Sequence, residues 1–175
     1  IMSSARFMPA ADAAEQGTGV VDVPAAWQLL KAGIDTESIE TRVQVNTSIA
    51  DLIGEPGVGV GIDDREAVSG SYTRTYSVTR TEGRPGTHPF TLSWVGNDGT
   101  FTAPSSVDLP LGQAVDVPVR ITPKGKGAHS AVLRMDSPDT TGVAGQTMNV
   151  VVNPHGASEA NSILVRNRRT GGRNE

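Results

Sequence analysis

The chain holds no cysteine, which excludes disulfides and thiolate metal sites. Aromatic residues are scarce, 4% of 175 residues. Any core must therefore be built mostly from Val, Leu, Ile and Ala. No apolar run approaches the roughly 18 residues that a membrane-spanning helix needs. Basic charge is not in excess either: the formal net charge is −4 and the pI about 5.4. That balance argues against a nucleic-acid partner, which leaves a basic footprint, and against an anionic membrane surface. The opening "IMSSARFM" lacks the charged and apolar regions of a secretory leader, so the chain is expected to begin inside a larger protein.

What is present suffices for one ordinary domain with connecting pieces: 37% apolar residues and 20 glycines in 175 positions. Ile1, Ala5 and Met8 can share a helical face that Pro9 ends. Residues 10–16 are small and polar and read as a loop. Gly17 and Gly19 then bracket a turn before Val20 and Val21. Asp22 is placed to cap a helix, Pro24 suits its first turn, and Gly33 suits its end. Val23, Ala26, Trp27 and Leu30 fall at i, i+3, i+4 and i+7, a stripe expected to be buried. Trp27 and Leu30 are expected to be mostly covered yet to find few partners within the chain, the rest of their packing site lying upstream.

Residues 34–65 read as a connector with short strands, among them the alternating "IETRVQV". From about residue 66 the texture becomes that of an all-β domain. Tyr72, Tyr76 and Val78 share one parity, as do Phe90, Leu92 and Trp94. Val115, Val117, Val119 and Ile121 alternate strictly, and Ala131, Leu133 and Met135 follow the same rule. "GNDGT" is a tight turn between two such runs. Pro118 places its strand at a sheet edge or on a bulge. Six or seven short strands with turn signals between them predict a mainly β fold over 66–154, an immunoglobulin/fibronectin III-like β-sandwich able to fold alone. Residues 155–175 are polar and Arg-bearing and read as a linker or the start of a further element.

Chemistry-bearing residues do not assemble in the sequence. His88, His129 and His155 lie in a turn, at a strand start and in the tail, and read as surface or loop residues. Ser3 and Ser4 have no acid or base nearby in sequence. Asp63, Asp64 and Glu66 form an acidic knot, and Asp136 and Asp139 flank Pro138; neither group has an EF-hand spacing, and solvated loop charge is the better reading. "GVGVG" at 57–61 lacks the Lys-Ser/Thr of a phosphate loop, so its glycines are expected to serve close packing or a bend. Arg166, Arg168, Arg169 and Arg173 are too few, with Glu159 and Glu175 near, to mark a polyanion site. No catalytic, cofactor-binding or metal-ligating residue is assigned, and no cofactor is expected.

"IMSSARFM" followed by "EQGTGVVDVPAAWQLL" resembles the C-terminal end of the catalytic domain of subtilisin-like (S8) serine peptidases. Met2, Ser3, Ser4, Ala5, Gly17, Gly19, Val21, Asp22, Val23, Ala26 and Trp27 follow that family's order of helix, Gly-x-Gly turn, short strand and closing helix. The later stretch "GAHSAVLRMDSP", with Gly127, His129, Asp136 and Pro138, is similar to the sandwich after the peptidase domain in the tripeptidyl-peptidase II-like branch. The family's Asp-, His- and Ser-bearing motifs are absent from this stretch. The resemblance therefore implies that residues 1–33 close a peptidase domain, that the triad lies upstream, and that this stretch alone is inactive. It further implies a secreted parent, with a cytoplasmic one as the alternative, a partner in the rest of the peptidase domain, and a possible homo-oligomer. A free-standing adhesive or carbohydrate-binding sandwich is the competing reading, and it requires aromatic side chains exposed on one sheet face.

Overall fold

The computed structural model describes residues 2–33, 37–52, 55–65 and 70–153. Ten strands form two five-stranded sheets packed face to face. They are β1 (Ser38–Gln44), β2 (Val58–Gly59), β3 (Asp63–Asp64), β4 (Tyr72–Glu82), β5 (Thr87–Val95), β6 (Phe101–Thr102), β7 (Ser106–Pro110), β8 (Ala114–Ile121), β9 (Gly127–Asp136) and β10 (Gly145–Asn153). One sheet runs β2-β1-β4-β8-β6 and the other β3-β10-β9-β5-β7. Every pairing of long strands is antiparallel; the short β3 joins β10 in parallel.

The core is the one that alternation predicts. Tyr76, Val78, Val117, Val119 and Ile121 of the first sheet meet Phe90, Leu92, Ala131, Leu133 and Met135 of the second, all buried. Trp94 lies at the margin of this core, half-buried and stacked on Phe101 with ring centroids 5.2 Å apart. β8 runs along β4 through Pro118, while β6 reaches only Arg120 and Ile121. At Pro118 the strand is therefore an edge, where a missing N–H leaves no ladder bond unmade.

Sequence puts the start of the sandwich at residue 66, but the sheets begin at Ser38. β1 pairs with β4 along Ile39–Arg42, and Val43 and Ile62 are core residues. The short strands of 34–65 are thus members of both sheets, and a 66–156 fragment would lose them. The reason is a strand switch: the chain leaves the first sheet after β2 and joins the second at β3. Gly61 makes the crossing possible, since a Cβ there would run into the carbonyl oxygen of Met148. Of the 57–61 glycines, expected to serve close packing or a bend, Gly59 and Gly61 show the close packing, and Gly57 has open space and a φ of +74°.

The N-terminal segment lies on the outer face of the second sheet. A short 3-10 turn, Met2–Ser4, stands where a longer helix was expected. Residues 10–16, expected as loop, contain a one-turn helix, α1 (Ala13–Gln16), with the Asp12 amide donating to Glu15 Oε2 at 3.0 Å. Ala13 is fully buried, and the Ala14 amide donates to Ser130 Oγ at 3.0 Å. This covering explains why Val132, on the parity opposite the core, is buried as well. The Phe7 ring lies against Gly96, where a Cβ would collide with it. The longer helix α2 (Val23–Ala32) starts at Asp22, whose carboxylate accepts from the Ala25 amide at 2.9 Å, and ends at Gly33.

Candidate docking surface

α2 is apolar on two sides. Ala25, Ala26 and Leu29 are half-buried, and the helix packs against Met2–Ser4. Val23, Trp27 and Leu30 point away from the sandwich. Trp27 is 54% and Leu30 61% exposed, so the expectation that both are mostly covered is corrected. A 3.6-residue period identifies a stripe but does not name the body that covers it. Lys31 Nζ sits 5.5 Å from the Trp27 ring centroid, and Val20 and Val21 extend the apolar surface beyond the helix start. Fully burying a Val or Leu side chain contributes about 1.5–3 kcal/mol, and the exposed 67% of Val23 and 61% of Leu30 leaves more than half of that to be gained on docking. The stripe is therefore an apolar surface open to association, on a helix that packs against Met2–Ser4.

The polar clusters of the sandwich are structural. His129 Nδ1 lies 2.6 Å from Asp98 Oδ2 and its Nε2 lies 3.2 Å from the Gly125 carbonyl. Both ring nitrogens are engaged, so this buried histidine has none free to take a proton from a nucleophile. Burial acts to raise the Asp98 carboxyl, but hydrogen bonds from Thr100 and His129 outweigh it and hold the group below its usual range. His129 is thus not the surface residue that sequence suggested. His88 is half-buried in the strand after its turn, its Nε2 3.0 Å from the Pro85 carbonyl, and His155 lies outside the described residues.

Within the acidic knot, Asp64 is buried and bound by Arg74 Nε at 3.0 Å, Arg74 Nη2 at 3.2 Å and Tyr72 OH at 2.8 Å. Its two oxygens serve that network rather than a cation. Burial, and then the Asp64 carboxylate, push the Tyr72 phenol above its ordinary range. Asp63 pairs with Arg65, and Glu66 lies outside the described residues. Asp139 pairs with Arg84, Nη1 to Oδ2 3.4 Å. Among the described residues no group of three such side chains could hold a metal ion. Ser3 and Ser4 sit in the 3-10 turn, and residues 166–173 lie outside the described residues.

Aromatic side chains do not form a sugar-binding platform on either sheet. Tyr76, Phe90 and Phe101 are buried, Phe7, Tyr72 and Trp94 half-buried, and only Trp27 is exposed, away from the sheets. Sequence missed the buried pairs Arg80–Glu37 and Arg74–Asp64 because charged residues on a strand normally face water. Arg80 did carry a signal: it continues the parity of Tyr76 and Val78.

Two sheets in face-to-face packing, a strand that switches between them and a core of alternating apolar residues define an immunoglobulin-like β-sandwich domain. Residues 40–153 match the family described as the Ig-like domain in actinomycete serine proteases. That span is more than half of the chain, and the chain belongs to this family. No curated protein matches it. Among solved structures, a FixG-related protein from Vibrio parahaemolyticus is similar at 8% identity and a TM-score of 0.44, covering 70% of this chain and 100% of its own. WR4, a C. elegans MSP family member, is similar at 9% identity and a TM-score of 0.38, covering 50% and 89%.

Proposed function

We propose that this chain is a non-catalytic C-terminal section of a secreted subtilisin-like serine peptidase, of the tripeptidyl-peptidase II-like branch. Residues 1–33 complete the peptidase domain, and the sandwich braces that domain from outside. The observation that carries the reading is the α2 stripe of Val23, Trp27 and Leu30: it is apolar and exposed, on a helix packed against Met2–Ser4 ahead of a sandwich of a protease-associated family. The sequence order around it, "SSA" then Gly-x-Gly then Asp-Val, matches the closing segment of a subtilase domain. The partner is the remainder of that domain, which supplies the triad. The sandwich contributes rigidity rather than chemistry, because its buried ions are all paired to hold strands together.

The test is a double substitution, Trp27→Ser with Leu30→Ser, made both in this chain and in the full polypeptide that carries the catalytic domain. In this chain the melting temperature stays within a degree or two, because both side chains are exposed. In the full polypeptide the peptidase loses stability and turnover. Equal indifference in both contexts would remove the basis for the assignment.

A further inference from the structure

We propose that the open half of the sandwich seam binds an extended polypeptide segment by strand addition to β1. The strand switch covers only half of this edge. β2 pairs with β1 at Val43 and Gln44 and then departs, and β3 pairs with β10 only at Val150 and Val151. Opposite Ile39–Arg42 on one sheet and Gly145–Thr147 on the other, no further strand follows among the described residues. A cavity of about 540 Å3 occupies that place, lined by Ile39, Thr41, Arg42, Glu55, Gln146 and Thr147. Binding sites for small ligands and short peptides are commonly about 300–1,000 Å3.

The backbone of β1 is aimed into this cavity. The Val45 amide donates to the Gly57 carbonyl at 3.0 Å, on the side away from β4. Ladder alternation turns the amides and carbonyls of Val43, Thr41 and Ile39 the same way. Val43 meets Gly59 of β2, whereas the main-chain groups of Thr41 and Ile39 meet no backbone partner among the described residues. The Thr41 hydroxyl is already committed, donating to the Val60 carbonyl at 2.7 Å, and it fixes the corner where β2 leaves. Donors and acceptors alternating at strand spacing are satisfied in register only by another strand. The guest would run antiparallel to β1, in the line a longer β2 would have taken. Arg42 pairs with Glu55 at the rim, and Glu40 leaves one further negative charge there, so a guest with basic ends fits better than an acidic one. This binding is a property of the sandwich edge and stands apart from the docking of α2.

A capped peptide of about seven residues, alternating Thr and Val between terminal lysines, is a suitable probe, since common strands are about 5–6 residues long. Titrated into the intact chain and followed by amide NMR and hydrogen exchange, it should bind saturably and slow exchange at Ile39 and Thr41 by about tenfold or more. The same peptide N-methylated at alternate amides should bind at least about tenfold weaker, a loss of about 1.4 kcal/mol. Equal binding of the methylated peptide, protection elsewhere, the absence of saturable binding, or closure of this edge by a second copy of the chain would each overturn the proposal.

Discussion

Arg80 and Glu37 form a buried ion pair, Nη1 to Oε1 2.8 Å, with side-chain exposures of 0% and 2%. The pair joins the residue before β1 to the end of β4. Arg84 adds its side chain and its amide to the same carboxylate oxygen, at 3.2 and 3.3 Å, and Arg80 donates on to the carbonyls of Arg84 and Gly86. Gly83 lets this turn fold over Glu37, because a Cβ there would press into the glutamate side chain and its φ is +128°. Removing one member of a buried pair strands the other charge, at about 3–5 kcal/mol. Glu37→Ala should therefore lower unfolding stability by about that amount in urea titration. Arg80→Met combined with Glu37→Leu should cost much less, because no charge is left buried.

Acid should unfold the domain through the same carboxylates. Burial raises the Glu37 carboxyl, but the Arg84 and Arg80 contacts outweigh it and leave the group below its ordinary value. Asp98 is lowered in the same net direction. A depressed folded value means that the stabilisation is present above the unfolded carboxylate range of about 4. It is lost as pH falls through the folded values. Melting temperature should hold from pH 7 down to about 5 and then drop. In Glu37→Gln the drop should be shallower, because one of the two linked protons is gone.

Val117 and Arg120 test the register of β8. Val117 is 1% exposed on the core face, and Arg120 is exposed on the opposite parity. An unpaired carboxylate at Val117 would cost several kcal/mol. That rivals the 5–15 kcal/mol of a typical domain. Val117→Asp should abolish the cooperative thermal transition, and Arg120→Asp should leave it nearly unchanged. Equal effects would mean that the strand faces are assigned the wrong way round.

Gly61→Ala probes the strand switch. Its added methyl would meet the Met148 carbonyl oxygen, which is backbone and has little freedom to move. Overpacking of this kind costs about 1–3 kcal/mol. The same change at Gly125, where open space surrounds the position, should cost little. Calorimetry of both variants distinguishes a crowded crossing from a merely flexible loop.

The sandwich was legible because its signal is a period of two, repeated over Val115–Ile121, Phe90–Trp94 and Ala131–Met135. Its first strands were harder. β2 and β3 have two residues each, too short for any period, and they hold together only through long-range pairing with β1 and β10. α1 was missed although Asp12 and Glu15 have the spacing of a capping box. The docking stripe was seen in sequence as apolar, but its exposure depends on which bodies surround the helix. Parity marks Arg80 as inward-facing, but the partners in the buried Asp64–Arg74 and Glu37–Arg80 pairs lie 10 and 43 residues away, and no local pattern names them.

Trp27 is proposed to lie in an interface with a peptidase domain. Hydroxyl-radical footprinting of Trp27 tests it most directly, comparing this chain alone with the full polypeptide. Alone, Trp27 is 54% exposed and should be modified readily. In the full polypeptide its modification should fall by about fivefold or more as docking takes the exposed part of the ring out of solvent, while Met148, exposed on the sandwich, reacts equally in both. Unchanged modification of Trp27 in the full polypeptide would show that no peptidase domain covers the stripe.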